Sequence, residues 1–260
     1  MVTGPARSPG VSPAPAVLIL GGTAEARDLA AALVAAGRPV ISSLAGRVRN
    51  PALPVGDVRI GGFSTAARDG VEGLAAYLSD HHICAVVDAT HPFAATISAN
   101  AVAATARTGT PLVRLQRPGW RDHPDADGWT WVGSATEAVA AGAGSRRPFL
   151  TTGRQSLDLF LPWADRQVTV RVVDPPEVPL PQRWRLIRSR GPYAYADELT
   201  VMRAAGSDLL VTKDSGGTHT AAKLDAARDL GMRVMVIRRP ASAPDVPQVT
   251  TVTEVLGWLG

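Results

Sequence analysis

A chain of 260 residues, 45% of them hydrophobic, is long enough for one large domain or two of ordinary size, each with a buried core. Its net charge of +4 comes without any Arg/Lys-dense run interleaved with aromatics, and only 5% of residues are aromatic, which argues against nucleic acid as a partner. The single cysteine, Cys84, rules out a disulfide framework within the chain and suits a reducing cytoplasm, and no run approaches the roughly 18 apolar residues of a membrane span.

Residues 1–15 are rich in Pro, Gly and Ser and read as a disordered lead-in, neither signal peptide nor anchor. AVLILGG then predicts a strand and AEARDLAAALVAAG a helix, with Leu29, Leu33 and Ala36 at helical spacing and Gly37 as its stop. PVISSLAG and ICAVVDAT predict further strands. THPFAATISANAVAATARTG predicts a helix with Pro92 in its first turn, and TPLVRLQRP the next strand. After a polar stretch at 120–134 the pattern restarts: WTWV as a short strand, SATEAVAAGAG as a helix, PFLTTGRQSLDLFLPWA as strand, loop and helix. QVTVRVVDPP and RWRLIRSRG read as strands and YAYADELTVMRAAG as a helix. DLLVTKDSGG reads as strand and loop, THTAAKLDAARDLG as a helix and MRVMVIRRP as a strand. TVTEVLGWLG closes the chain as a helix capped by Thr253. Strands alternating with helices of this length predict parallel sheets of βαβ units, in two α/β domains at 16–133 and 134–260.

In open parallel sheets, ligands sit beyond the carboxyl ends of the strands, so the chemistry is sought there. In GGTAEA, Gly21 and Gly22 let backbone approach a phosphate, and Thr23 adds a hydroxyl at a helix N-terminus. The full G-x-G-x-x-G pattern is absent, because Ala26 stands where a third Gly belongs, and a merely tight turn is the competing reading. SSLAGR ends the second strand with Ser42, Ser43 and then Arg47, where an NAD-binding domain shows Asp or Glu. A hydroxyl with a guanidinium suits a 2′-phosphate and therefore NADP; a solvated loop arginine is the alternative. DATHPF places Asp88, Thr90 and His91 at a strand end, His91 being either a structural histidine or a proton donor. The histidines show no metal-ligand spacing, so no metal site is expected.

Of the 27 cationic residues only two are lysine, Lys213 and Lys223, and both fall in VTKDSGGTHTAAKLDAAR. No Walker P-loop is present, which disfavours phosphate transfer. Lys213 beside Asp214 at a glycine-rich strand end reads as a site for an anionic ligand or a proton transfer, because lysine, unlike arginine, can give up its proton. Lys223 lies in the following helix and is equally readable as a surface lysine.

LILGGTAEAR, SLAGR, GGF at 61–63, DATHPFA with Asn100–Ala101, RLQRP-W, LTTGRQSL, SRGP, VTKDSGG-TAAKLDAAR and VIRRP occur in this order along nearly the whole chain after residue 16. In that ordered set the chain resembles the precorrin-6A reductase family of cobalamin (vitamin B12) biosynthesis. STAARDGVE at 64–72 departs from the family pattern as a short insertion. The resemblance implies an α/β fold of two Rossmann-like domains with parallel sheets and a ligand cleft between them. It also implies hydride transfer from NADPH to one double bond of precorrin-6A, at C19, with a proton added at C18, giving precorrin-6B. On this footing the catalytic candidates are Lys213, Asp214 and His91. Gly21, Gly22, Thr23, Glu25, Ser43, Arg47 and Thr90 are assigned to the cofactor, and Ser215, Gly216, Arg114, Arg117, Arg188 and Arg190 to the polycarboxylate tetrapyrrole. Hand-over of product to the next enzyme of the pathway stays open. The alternatives are a reductase of the cobalt-containing precorrin, and a non-catalytic NADP-binding sensor, which leaves TKDSGG without a role.

Overall fold

A computed structural model describes residues 14–46, 52–218 and 220–260; Arg47 and the expected lead-in through residue 13 lie outside them. β1 (Ala16–Leu20) is buried at all five positions, as a strand covered on both faces must be. Its residues alternate between two cores. Val17 and Ile19 pack with Leu29 and Leu33 of α1 (Ala24–Ala35), whereas Leu18 and Leu20 pack with Leu74 and Leu78 of α2 (Gly70–Asp80) and Ala101 and Ala104 of α3 (Ala95–Thr108).

β2 (Val40–Leu44), β3 (Asp57–Ile60), β4 (Ile83–Asp88), β5 (Leu112–Leu115) and β12 (Gln248–Val249) join β1 in a six-stranded sheet of order β12-β5-β4-β1-β2-β3. A second six-stranded sheet, of order β6-β11-β10-β7-β8-β9, is built from β6 (Thr130–Val132), β7 (Pro148–Thr151), β8 (Thr169–Val172), β9 (Arg185–Arg188), β10 (Leu209–Lys213) and β11 (Arg233–Ile237). Every strand pair is parallel. The order reverses between β1 and β4 in one sheet and between β7 and β10 in the other, so each sheet has a switch point. α4 (Ala135–Ala141), α5 (Tyr195–Ala205) and α6 (Ala222–Asp229) accompany the second sheet.

Sheet membership does not follow the 133/134 boundary expected from the sequence. β6 belongs to the second sheet, beside β11, while β12 returns to pair with β5 of the first. α7 (Val252–Leu259) follows β12 and buries Val255 in the core formed with α1. Strands of two and three residues carry no readable period, and pairing rather than chain order decides where they go.

Other local expectations shift. β3 and β12 were not foreseen: β3 is an edge strand with no fully buried residue and hence no apolar alternation. Pro92 precedes α3, which starts only at Ala95. The SLDLFLPWA stretch forms a 3-10 helix, Asp158–Trp163, around Pro162. The closing helix is capped by Thr251 rather than Thr253, through a capping box with Glu254. Within the supposed insertion at 64–72, Asp69 accepts hydrogen bonds from the Val71 and Glu72 amides, so its last residues are the first turn of α2.

Candidate active site

The carboxyl ends of the two sheets meet around a cavity of about 560 Å³. On the first-sheet side, Gly21, Gly22, Thr23 and Ala24 bring the N-terminus of α1 to it. Gly22 has φ +115°, a conformation side chains avoid, yet a Cβ there would meet nothing within 4 Å; backbone geometry alone requires glycine. Thr23 Oγ1 donates to the Ala89 carbonyl at 2.8 Å, fastening the β1–α1 turn to the end of β4, and accepts from the Ala26 amide at 3.1 Å.

The two serines closing β2 point to opposite faces. Ser42 lines the cavity and is 1% exposed, and among the described residues its Oγ has no hydrogen-bond partner. Ser43, the residue assigned to the cofactor from sequence, accepts instead from Arg59 Nη1 at 2.7 Å and does not line the cavity.

Val173, Arg190, Tyr193 and Thr220 form the second-sheet wall. His91 and Arg117 complete the lining between the sheets. Arg117 also fastens them together: Nη1 reaches both Glu25 carboxylate oxygens, at 2.9 and 2.8 Å, and Nε donates to the Ser215 carbonyl at 2.7 Å. Burial pushes the Glu25 carboxyl up, but backbone N–H donation and Arg117 outweigh it and hold the group below the usual carboxylate range. Glu25 is therefore engaged by protein. Asp214 is likewise engaged: it accepts from the Trp120 amide at 3.0 Å and faces Arg239 Nε at 3.4 Å. Gly216 has φ +68°, and a Cβ there would stand 2.2 Å from the Pro118 carbonyl oxygen. The TKDSGG loop thus interlocks with residues 117–120 of the other half.

Thr90 donates to Asp88 at 2.6 Å, a contact internal to its turn. The Phe93 amide donates to His91 Nδ1 at 3.2 Å, which leaves the proton on Nε2. Burial first, then the charges of Arg117, Lys213, Arg239 and Lys223, pull the His91 pKa down to about 4, so the imidazole is neutral at physiological pH. Lys213 holds its ammonium 5.1 Å over the Phe93 ring and is lowered by burial. Lys223 is buried, not a surface lysine; its ammonium donates to the Thr220 carbonyl and stands 4.5 Å over the Trp120 ring. Among the described residues neither lysine has a carboxylate ion pair, whereas Arg117 and Arg239 both do.

The other three arginines assigned to substrate divide. Arg190 lines the cavity. Arg188 is exposed at the end of edge strand β9 and is not part of the lining. Arg114 faces Asp88 at 3.8 Å in a separate cavity of about 320 Å³ beside α3. Its place on β5, one residue before the last, sets it on the sheet face opposite Val113 and Leu115, beside α3. Away from both cavities, His123, Asp125 and Asp225 bring ligand atoms within 4.8 Å of one another, but Arg228 already pairs with both aspartates at 3.1 Å.

Residues 16–260 match the family described as precorrin-6x reductase CbiJ/CobK. The chain belongs to that family. It is 50% identical to the precorrin-6A reductase of Rhodococcus erythropolis over 249 residues, covering 94% of this chain and 97% of the relative. A cobalt-precorrin-6A reductase of Priestia megaterium is more distant, at 29% identity over 86% of this chain and 90% of its own. Among solved structures, CobK precorrin-6A reductase superposes with a TM-score of 0.85 at 40% identity, covering 95% of this chain and 96% of that one. The two parallel α/β sheets of this reductase are thus the family's architecture. Among the described residues, no helix is long and apolar enough to cross a membrane.

The residues hardest to find from sequence were Ser42, Tyr193 and Thr220; Lys223 was singled out, but its burial was not. Parity along β2 distinguishes Ser42 from Ser43 only once the sheet's two faces are known. Tyr193 and Thr220 sit in loops whose direction no periodicity encodes.

Proposed function

We propose that this reductase uses NADPH to reduce one carbon–carbon double bond of precorrin-6A, giving precorrin-6B, with hydride at C19 and a proton at C18. The observation that carries the reading is the N-terminus of α1 at the cavity, with Gly21, Gly22 and Thr23 in the lining and Ser42 of β2 beside them. A dinucleotide fits this donor set: the α1 N-terminus and the Gly22 backbone would hold its pyrophosphate, and Ser42 its adenosine ribose. When bound, the nicotinamide supplies the hydride.

The remaining work falls to the chain. Neutral His91 offers a donor at Nε2 into the cleft without adding charge. Arg190 offers a guanidinium to a substrate carboxylate. Lys213 Nζ, without a carboxylate ion pair among the described residues and with its pKa lowered by burial, is the group assigned to supply the proton. Asp214 holds the β10 loop in place rather than exchanging protons. The metal-free substrate is favoured because the precorrin-6A reductases compared are 41–50% identical to the chain and the cobalt-precorrin-6A reductases 28–32%. NADPH rather than NADH rests on Arg47, which lies outside the described residues.

Anaerobic mixing of the pure protein with metal-free precorrin-6A and either coenzyme tests this directly. Rapid oxidation of NADPH, with NADH at least tenfold slower, is the expected result. Consumption only with the cobalt-containing substrate would overturn the substrate reading. Binding of NADPH without oxidation on either substrate would favour the sensor.

A further inference from the structure

The second-sheet wall of the cavity stands on a buried cluster of charges. Arg171 on β8 pairs with Glu198 on α5 and lays its guanidinium 3.9 Å from the ring centre of Tyr193, a cavity residue. Lys223 on α6 donates to the carbonyl of Thr220, another cavity residue. The three charged residues are 8%, 2% and 4% exposed, and among the described residues Glu198 Oε2 has no hydrogen-bond partner. Arg171 and Glu198 compensate each other. A charged Lys223 then leaves one positive charge uncompensated in the interior, which burial makes costly.

We propose that Lys223 takes up a proton from solvent when an anionic ligand occupies the cavity, completing a positive wall only when negative charge is there to face it. The inference rests on reading the cavity as a dinucleotide site. The groups facing Lys223 are Arg171 from β8, Glu198 from α5, and Arg117 and His91 from the loops after β5 and β4. Burial chiefly, then Arg171, lower its pKa to about 7, against Glu198, which raises it; Arg117 adds to the lowering. An anion beyond Thr220 favours the ammonium and moves the pKa back up. At pH 8 the free protein therefore holds mostly the amine and the complex mostly the ammonium.

The test is calorimetric titration of NADP+ into the full chain at pH 8, in two buffers of different ionisation enthalpy. At that pH a phosphate monoester, with a pKa of about 6, exchanges no proton, and His91 stays neutral. The wild-type protein is expected to take up a large part of one proton per NADP+ bound. Lys223→Met, which removes the amine, and Lys223→Arg, whose charge is permanent, are both expected to bind with no uptake. Far-UV circular dichroism checks that each is folded, and either variant alone suffices. Binding without uptake in the wild type, or uptake that survives in a folded Lys223 variant, would overturn this inference alone and leave the cavity reading standing. Failure of NADP+ to bind would overturn the cavity reading and this inference with it.

Discussion

The two switch points share a topology and differ in chemistry. Between β1 and β4 the strand ends carry Gly21, Gly22, Thr23 and Thr90, whose hydroxyls are tied to Ala89 and Asp88; these residues are small and uncharged, and the helix N-terminus with Arg27, which donates to the Thr23 carbonyl at 3.2 Å, supplies the attraction for anions. Between β7 and β10 stand Thr152, Lys213 and Asp214, and the β10 loop runs across to grip the first half at Pro118 and Trp120. Identical strand order fixes where loops emerge but leaves open what they carry. One switch point is shaped to admit a ligand, the other to hold the two halves together around a chargeable amine.

The sharpest way to break this comparison is a methyl group on each glycine loop. Gly216→Ala combines left-handed backbone with a Cβ 2.2 Å from a carbonyl oxygen, and is expected to cost about 3–5 kcal/mol. Gly22→Ala has the strained φ but open space, and should cost about 1–2 kcal/mol. Thermal unfolding of the two variants should rank them in that order, with NADP+ binding lost in the folded Gly22→Ala protein. If the two melt alike, the interlocking role of the β10 loop is wrong.

Lys213→Met should lower turnover about 10²- to 10⁴-fold, the usual contribution of a positioned acid, while NADP+ still binds. Unchanged turnover would move the proton source elsewhere.

Glu25→Gln weakens the fastening between halves, with an expected loss of about 1–2 kcal/mol at pH 7. Because the folded-state pKa of Glu25 lies below its ordinary 4.5, its contribution is fully present above pH 4.5 and disappears as pH falls through the folded value. Urea unfolding of wild type and variant should therefore converge as pH falls below the folded-state value, and a gap that stays constant with pH would count against the pair.

The smallest effect, and the one that differs in sign between two readouts, is Ser42→Ala. Removing an unsatisfied buried hydroxyl should leave the free protein as stable or slightly more so, while NADP+ affinity drops about 3- to 10-fold. A loss of stability with unchanged affinity would make Ser42 a packing residue.

Most of the architecture was legible because long buried strands such as β1 and β10 are unbroken apolar runs, and helices such as α1 repeat apolar residues at a helical spacing. The short edge strands were not, since β12 has two residues and β3 buries none of its own fully. In the site, the turn at Gly21–Gly22 and the place of the lysine segment at the end of β10 could be read directly. What could not be read was direction: whether Ser42 or Ser43 meets the cavity, and whether Glu25, Asp214 and Arg114 reach for a ligand or for one another. Those outcomes depend on pairings between residues far apart in the chain, such as Glu25 with Arg117, and no local pattern records them.

The return of the chain to its first sheet has a consequence for biosynthesis. Because Val255 lies in the same core as Ile19 and Leu29, and β12 covers the open side of β5, the N-terminal half cannot seal its interior while it is being translated. Its apolar surface stays open until Gln248–Val249 and Val255 have been made, after the whole second sheet. The cell must tolerate or shield a half-closed sheet while the second half is being translated.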